Sequence, residues 1–208
     1  CGNHGIPASC VTGWTRAMEC ALRKEIKMLK NTEQRYGSLS IGLHWLTLLL
    51  IVAVYGLMEF RDIFPKGSAG RDLMKEFHFM VGLLILALVV VRLLVRFGSP
   101  SPRILPAPSP LMLKLGHLAH LALYGFLILT PLLGWLLLSA GGKPIPFFGF
   151  ELPALIGPND GLKGTIKDLH ETLANLGYAL IALHAAAAIY HHHVLKDNTL
   201  ANMLPERK

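Results

Sequence analysis

Four apolar segments, over residues 41–58, 77–97, 116–139 and 170–194, leave this chain few folds to choose from. Each is long enough to cross a hydrocarbon core about 30 Å thick as a helix rising about 1.5 Å per residue. Charged residues make up 16% of the 208-residue chain and hydrophobic ones 52%, whereas a soluble domain carries about 25% charge. The expected fold class is all-α: an integral membrane four-helix bundle forming one domain over 28–208. The formal net charge of +7 could suggest nucleic acid. No basic stripe with interleaved aromatics accompanies it, and charge spread around membrane spans marks cytoplasmic loops instead.

The connections are distinct. Pro65 and two glycines interrupt the first loop, and S-P-S-P-R-I-L-P-A-P-S-P before the third segment is too proline-rich for a helix interior. The loop over 140–167 is turn-rich, with aromatics suited to a membrane interface. Arg92 and Arg96 end the second segment and are expected to snorkel to an interface, and Pro131 with Gly134 reads as a kink in the third. All three cysteines (Cys1, Cys10 and Cys20) precede the apolar body, which excludes a thiolate metal site or a disulfide framework within it. Residues 1–27 lack the apolar core of a signal peptide and read as a non-native or disordered leader, with an amphipathic extension as the alternative.

Histidines then narrow the chemistry. His170 and His184 lie fourteen residues apart on the last segment, just under four helical turns, so they share a face roughly 21 Å apart along the axis. Ionisable groups inside a membrane are expensive and usually functional. Gly177 sits midway on that face, leaving room for something flat. His44 enters from the terminal side, at the depth of His184, and His78 enters from the opposite side, at the depth of His170. The natural pairs are His44 with His184 and His78 with His170. Each offers two imidazoles from different helices, the arrangement for bis-histidine ligation of haem iron. A zinc site would need three or four ligands at one depth. No C-x-x-C-H sequence is present, so the expected cofactor is two non-covalent b haems.

His117, His120 and His191 form a further group on the terminal side. Such imidazoles could hydrogen-bond quinone carbonyls and supply protons, with interfacial solvation as the alternative. From residue 28 onward, nine Lys and Arg residues lie on the terminal side and central loop, against seven in the other loops. That bias puts both termini in the cytoplasm.

The motifs L-H-W, E-F-R, F-H, G-H-L-A-H, H-E-T-L-A-N-L-G-Y, L-H-A-A-A-A and K-D-N-T-L occur in that order from residue 43 to residue 200. In this pattern, covering about 28–207, the chain resembles the bacterial cytochrome b561 family, and within it the members that oxidise superoxide. The resemblance implies a multi-pass inner-membrane oxidoreductase with two b haems on His44, His78, His170 and His184. It also implies electron transfer from superoxide at the periplasmic face to ubiquinone at the cytoplasmic side. Basic residues near the outer haem would then steer the superoxide anion. The candidates are Arg61, Arg71, Lys75, Lys163 and Lys167, with Lys66 and Lys143 on the same side and eight acidic residues diluting them. The alternative function is a cytochrome b electron-transfer subunit or membrane anchor serving a partner dehydrogenase or hydrogenase.

Overall fold

The computed structural model describes residue 18 and residues 29–205. But for residue 18, the leader expected over 1–27 lies outside the described residues. Four helices dominate: α1 (Ser38–Glu59), α2 (Ala69–Phe97), α3 (Pro110–Ala140) and α4 (Asp160–Tyr190). All four are long and apolar enough to cross a membrane. The shortest, α1, has 22 residues, or about 33 Å of helix.

Side-chain caps start three of the helices, and in α2 and α4 they carry the helix through a polar first turn beyond the apolar window. Ser68 Oγ accepts from the Arg71 N–H at the start of α2. Ser109 does the same for Met112 in α3, where Pro110 takes the first helical position, the one place in a helix that does not need its missing N–H. Asn159 Oδ1 accepts from Leu162 N–H to start α4. The α3–α4 loop folds back through a short antiparallel hairpin, β1 (Pro146–Phe147) with β2 (Phe150–Glu151). Its turn residues Phe148 and Gly149 both have positive φ, 45° and 89°.

Neighbours in sequence are neighbours in space: α1 packs on α2, α2 on α3, and α3 on α4. One core cluster joins Ile85 and Val89 of α2 to Phe126 and Leu127 of α3. A second, at the loop end of the bundle, joins Leu83, Leu138 and Ile145. Large side chains such as Leu49, Val52, Leu94, Leu121 and Leu183 stay on the outside. Lipid tails are as apolar as leucine, so this outer surface costs nothing in a bilayer and close packing inside must hold the helices together.

The ring closes between α1 and α4 through Tyr55. Its hydroxyl donates to the Ala174 carbonyl at 2.5 Å, and its ring lies 4.4 Å from that of Tyr178. Gly177 permits this approach, because a Cβ there would overlap the Tyr55 hydroxyl and the Phe126 ring. The space expected opposite Gly177 is thus filled by the protein's own aromatic side chains. Gly177→Ala should cost about 1–3 kcal/mol of overpacking and lower the thermal midpoint in detergent. Gly42→Ala, whose Cβ would meet nothing within 4 Å, should show no such loss.

The C-terminal segment is sewn across the terminal end of the bundle. After a π-helical turn (His191–Leu195), Lys196 takes a left-handed conformation (φ 53°) and reverses the chain. The buried Asp197 carboxylate accepts from His191 Nδ1 at 2.5 Å and from the Thr199 N–H at 2.9 Å. Asn198 brackets the proline-rich linker, accepting from Leu105 N–H at 2.8 Å and donating to the Leu105 and Arg103 carbonyls. The Trp45 indole donates to Met203 O at 2.9 Å.

Burial alone would raise the Asp197 carboxyl, but its hydrogen bonds from His191 and Thr199 outweigh that and hold it below the ordinary range. A carboxyl depressed in the folded state contributes stability that is complete above its unfolded value, near pH 4, and is lost as pH falls through the lower folded value. Hydrogen exchange over residues 197–204 should therefore stay slow down to about pH 4 and quicken below it. In Asp197→Asn it should already be fast at neutral pH.

Candidate functional site: two histidine pairs in the bundle

His44 lies near the terminal end of α1 and His184 near that end of α4. Their ring centroids are 6.2 Å apart, with the planes inclined by 55°. Towards the loop end, His78 of α2 and His170 of α4 are also 6.2 Å apart, inclined by 79°. The sequence-expected partners therefore meet in both cases, at two levels. Metal–imidazole bonds of about 2.0 Å, with about 1.1 Å from nitrogen to ring centre, put two opposed imidazoles on one metal roughly 6.2 Å apart. Both pairs have the spacing to hold one metal ion between them.

Backbone carbonyls orient the loop-end pair. His78 Nδ1 donates to Val54 O at 3.0 Å and His170 Nδ1 to Thr130 O at 2.9 Å. A carbonyl only accepts, so each ring carries its proton on Nδ1 and leaves Nε2 free as a ligand atom. Gly134 clears the space for His170, since a Cβ there would stand 3.3 Å from its Cε1. Beside this pair lies an open cavity of about 250 Å³, lined by both rings, Gly82, Gly134 and Trp135. Its mouth carries Lys143, Lys163 and Lys167.

At the terminal end His44 Nδ1 faces the Arg92 guanidinium at 3.3 Å. Arg92 thus turns inward instead of snorkelling out, with its guanidinium carbon 5.9 Å from the centre of the Tyr124 ring. The His120 ring stands edge-on to His184 at 5.6 Å, its Nδ1 donating to Gly116 O at 2.7 Å. His191 is held by Asp197, and His117 is exposed.

Of the five cationic candidates, Lys163 and Lys167 reach the cavity. Lys167 also bonds Glu171 at 3.1 Å, and Lys163 lies 4.0 Å from Asp160. The other three do not line it. Arg71 pairs with Asp62 at 2.5 Å and Lys75 with Asp72 at 2.8 Å, while Arg61 points to the Met58 sulfur at 3.8 Å. Sequence reasoning passed over Tyr55, sent Arg92 outward to an interface, and took Gly134 for a kink. A small residue facing a histidine across two helices leaves no local pattern, and an arginine near the end of an apolar run can turn either way.

The family model of prokaryotic cytochrome b561 matches residues 35–206. Cytochrome b561 homolog 1 of Escherichia coli (strain K12) is 42% identical over 174 residues, covering 84% of this chain and 99% of that protein. The probable superoxide oxidase CybB of Yersinia pestis is 39% identical over 175 residues, 84% of this chain and 98% of that one. Cytochrome b561 homolog 2 of Escherichia coli (strain K12) is 33% identical, with 84% and 93% covered. The chain belongs to the prokaryotic cytochrome b561 family, bacterial membrane proteins built as helical bundles that bind haem b and transfer electrons.

Proposed function

We propose that this protein is a superoxide:ubiquinone oxidoreductase holding two b haems, one on His78 and His170 and one on His44 and His184. The observation that carries the reading is the pair of matched 6.2 Å imidazole separations at two depths, one beside a lysine-rimmed cavity. The likeness to a probable superoxide oxidase adds to it. Haem iron, when bound, supplies one-electron transfer through the ferric and ferrous states.

The residues divide the work. Lys163 and Lys167, with Lys143 beside them, attract the superoxide anion to the loop-end mouth, which faces the periplasm. The four histidines hold the irons at fixed depths, so electrons cross the apolar interior in short stages. Both termini lie in the cytoplasm, and ubiquinone is reduced at that end. His120, whose Nδ1 donates to Gly116 O, can take up a proton on Nε2 from the cytoplasm and hand it on from the imidazolium form, and His191 is oriented for the same task by Asp197. Two superoxide anions, one ubiquinone and two protons give two dioxygen molecules and one ubiquinol.

Purified protein should contain two haems per chain by pyridine haemochrome assay. His78→Ala and His170→Ala should each leave about one, and His44→Ala and His184→Ala should leave the other. Superoxide generated enzymatically should reduce the haems, and ubiquinone should reoxidise them. A chain that no superoxide flux reduces, but that a dehydrogenase or hydrogenase does, would move the function to an electron-transfer subunit. The double variant Lys163→Gln, Lys167→Gln should slow haem reduction by superoxide about tenfold at low salt. It should also flatten the salt dependence that stopped-flow absorbance shows for the wild type.

A further inference from the structure

The two pairs differ in what stands behind their rings, and this difference, taken with the two-haem reading, has an electrical consequence. At the loop end both Nδ1 atoms face carbonyl oxygens, Val54 O at 3.0 Å and Thr130 O at 2.9 Å. Donation to such an acceptor raises the basicity of the ring as a ligand. An electron-rich ligand stabilises the oxidised metal and makes it harder to reduce.

The terminal end is reversed. Behind His44 stands Arg92, NH2 to Nδ1 at 3.3 Å. A guanidinium has no acceptor and keeps its charge in proteins. Once Nε2 is committed to a metal, a neutral His44 carries its proton on Nδ1 and can no longer accept from Arg92. The ring then gains no basicity there and meets a positive charge instead. Among the described residues no carboxylate lies within ion-pair distance of Arg92, and its other close partner is the Tyr124 ring. The lysines near the loop-end pair do not cancel this contrast. Lys143 and Lys167 are exposed and Lys167 is paired, as is Lys163 at longer range, so water and counter-charge screen them. A fixed cation inside the bundle is screened far less.

We propose that Arg92 sets the direction of electron flow: its unpaired guanidinium beside His44 makes the terminal-end haem the better electron acceptor of the two. An iron that gains an electron loses one unit of positive charge, so a nearby fixed cation favours its reduced form. Electrons entering at the loop end then run downhill towards the terminal end.

The test is a spectroelectrochemical titration of the holoprotein in detergent, comparing wild type with Arg92→Gln and Arg92→Lys. In the wild type the transition lost from His44→Ala should have the higher midpoint. In Arg92→Gln that transition should move down while the other stays. The equilibrium constant for transfer from the loop-end to the terminal-end haem should fall about tenfold, or about 59 mV for one electron. Arg92→Lys keeps the charge and should keep most of the gap. Unmoved midpoints, equal shifts of both, or a lysine variant as far displaced as the glutamine one would overturn the assignment. Loss of the terminal-end haem from both variants would also overturn it, since Arg92 would then serve binding. A wild type with a single haem would instead remove the two-haem reading itself.

Discussion

Two imidazoles can share one metal only when the helices that carry them bring their rings to the same depth and keep them about one metal apart. Helices packed directly on one another have axes about 8–10 Å apart, with side chains interlocked between them. A gap held open between two imidazoles must be supported elsewhere. Here the support comes from the sequential contacts of α1 on α2, α2 on α3 and α3 on α4, and from the α2–α3 core around Val89 and Phe126. Helix α4 contributes a histidine to both levels, while Gly177 is its only fully buried residue among those described. It acts as a common rail, located by its contact with Tyr55 and Phe126 midway between the two levels.

Polar side chains inside a bilayer must find partners within the protein, and this chain mostly gives them backbone carbonyls. Tyr55 bonds Ala174 O, Thr47 bonds Leu43 O, Ser139 bonds Trp135 O, and His78 and His170 bond Val54 O and Thr130 O. Helical carbonyls already accept from their own turn but keep a second lone pair, so such bonds cost the helix little. They also fix ring orientation to the helix scaffold instead of to another flexible side chain. A site built this way needs no loop to hold it, which suits precise placement.

The spans and the four paired histidines were legible because each depends on one-dimensional information. Apolar length reports the spans, and a histidine's distance from the end of its own span reports its depth. Matching depth then selects the partner without knowledge of helix order. What was not legible depends on rotation about the helix axis. Arg92 lies near the end of an apolar run, and from there a long side chain can reach out or in; its inward turn follows from α2 packing against α1 and α3. The role of Gly134 needs the α3–α4 contact, and the filling of the space at Gly177 needs Tyr55 from a helix more than a hundred residues away. The polar first turns of α2 and α4 escaped an apolar window, although Ser68 and Asn159 are ordinary capping residues.

Under the proposed function the two ends of the bundle meet opposite chemical demands. The loop end receives an anion and gives up a neutral gas, so exposed lysines at a cavity mouth suffice and no proton donor is needed. The terminal end must deliver electrons and protons together, and there His120 stands against His184 while Asp197 grips His191. The tail that supplies Asp197 also fastens the linker at Leu105 and the entry of α1 at Trp45. The hydrogen-bonded seam that shapes the proton-donating end is therefore the one that closes the bundle there. Loosening it would disturb proton delivery and helix spacing together, while the loop-end cavity, held by the β1–β2 hairpin and the Leu83–Leu138–Ile145 cluster, would be left intact.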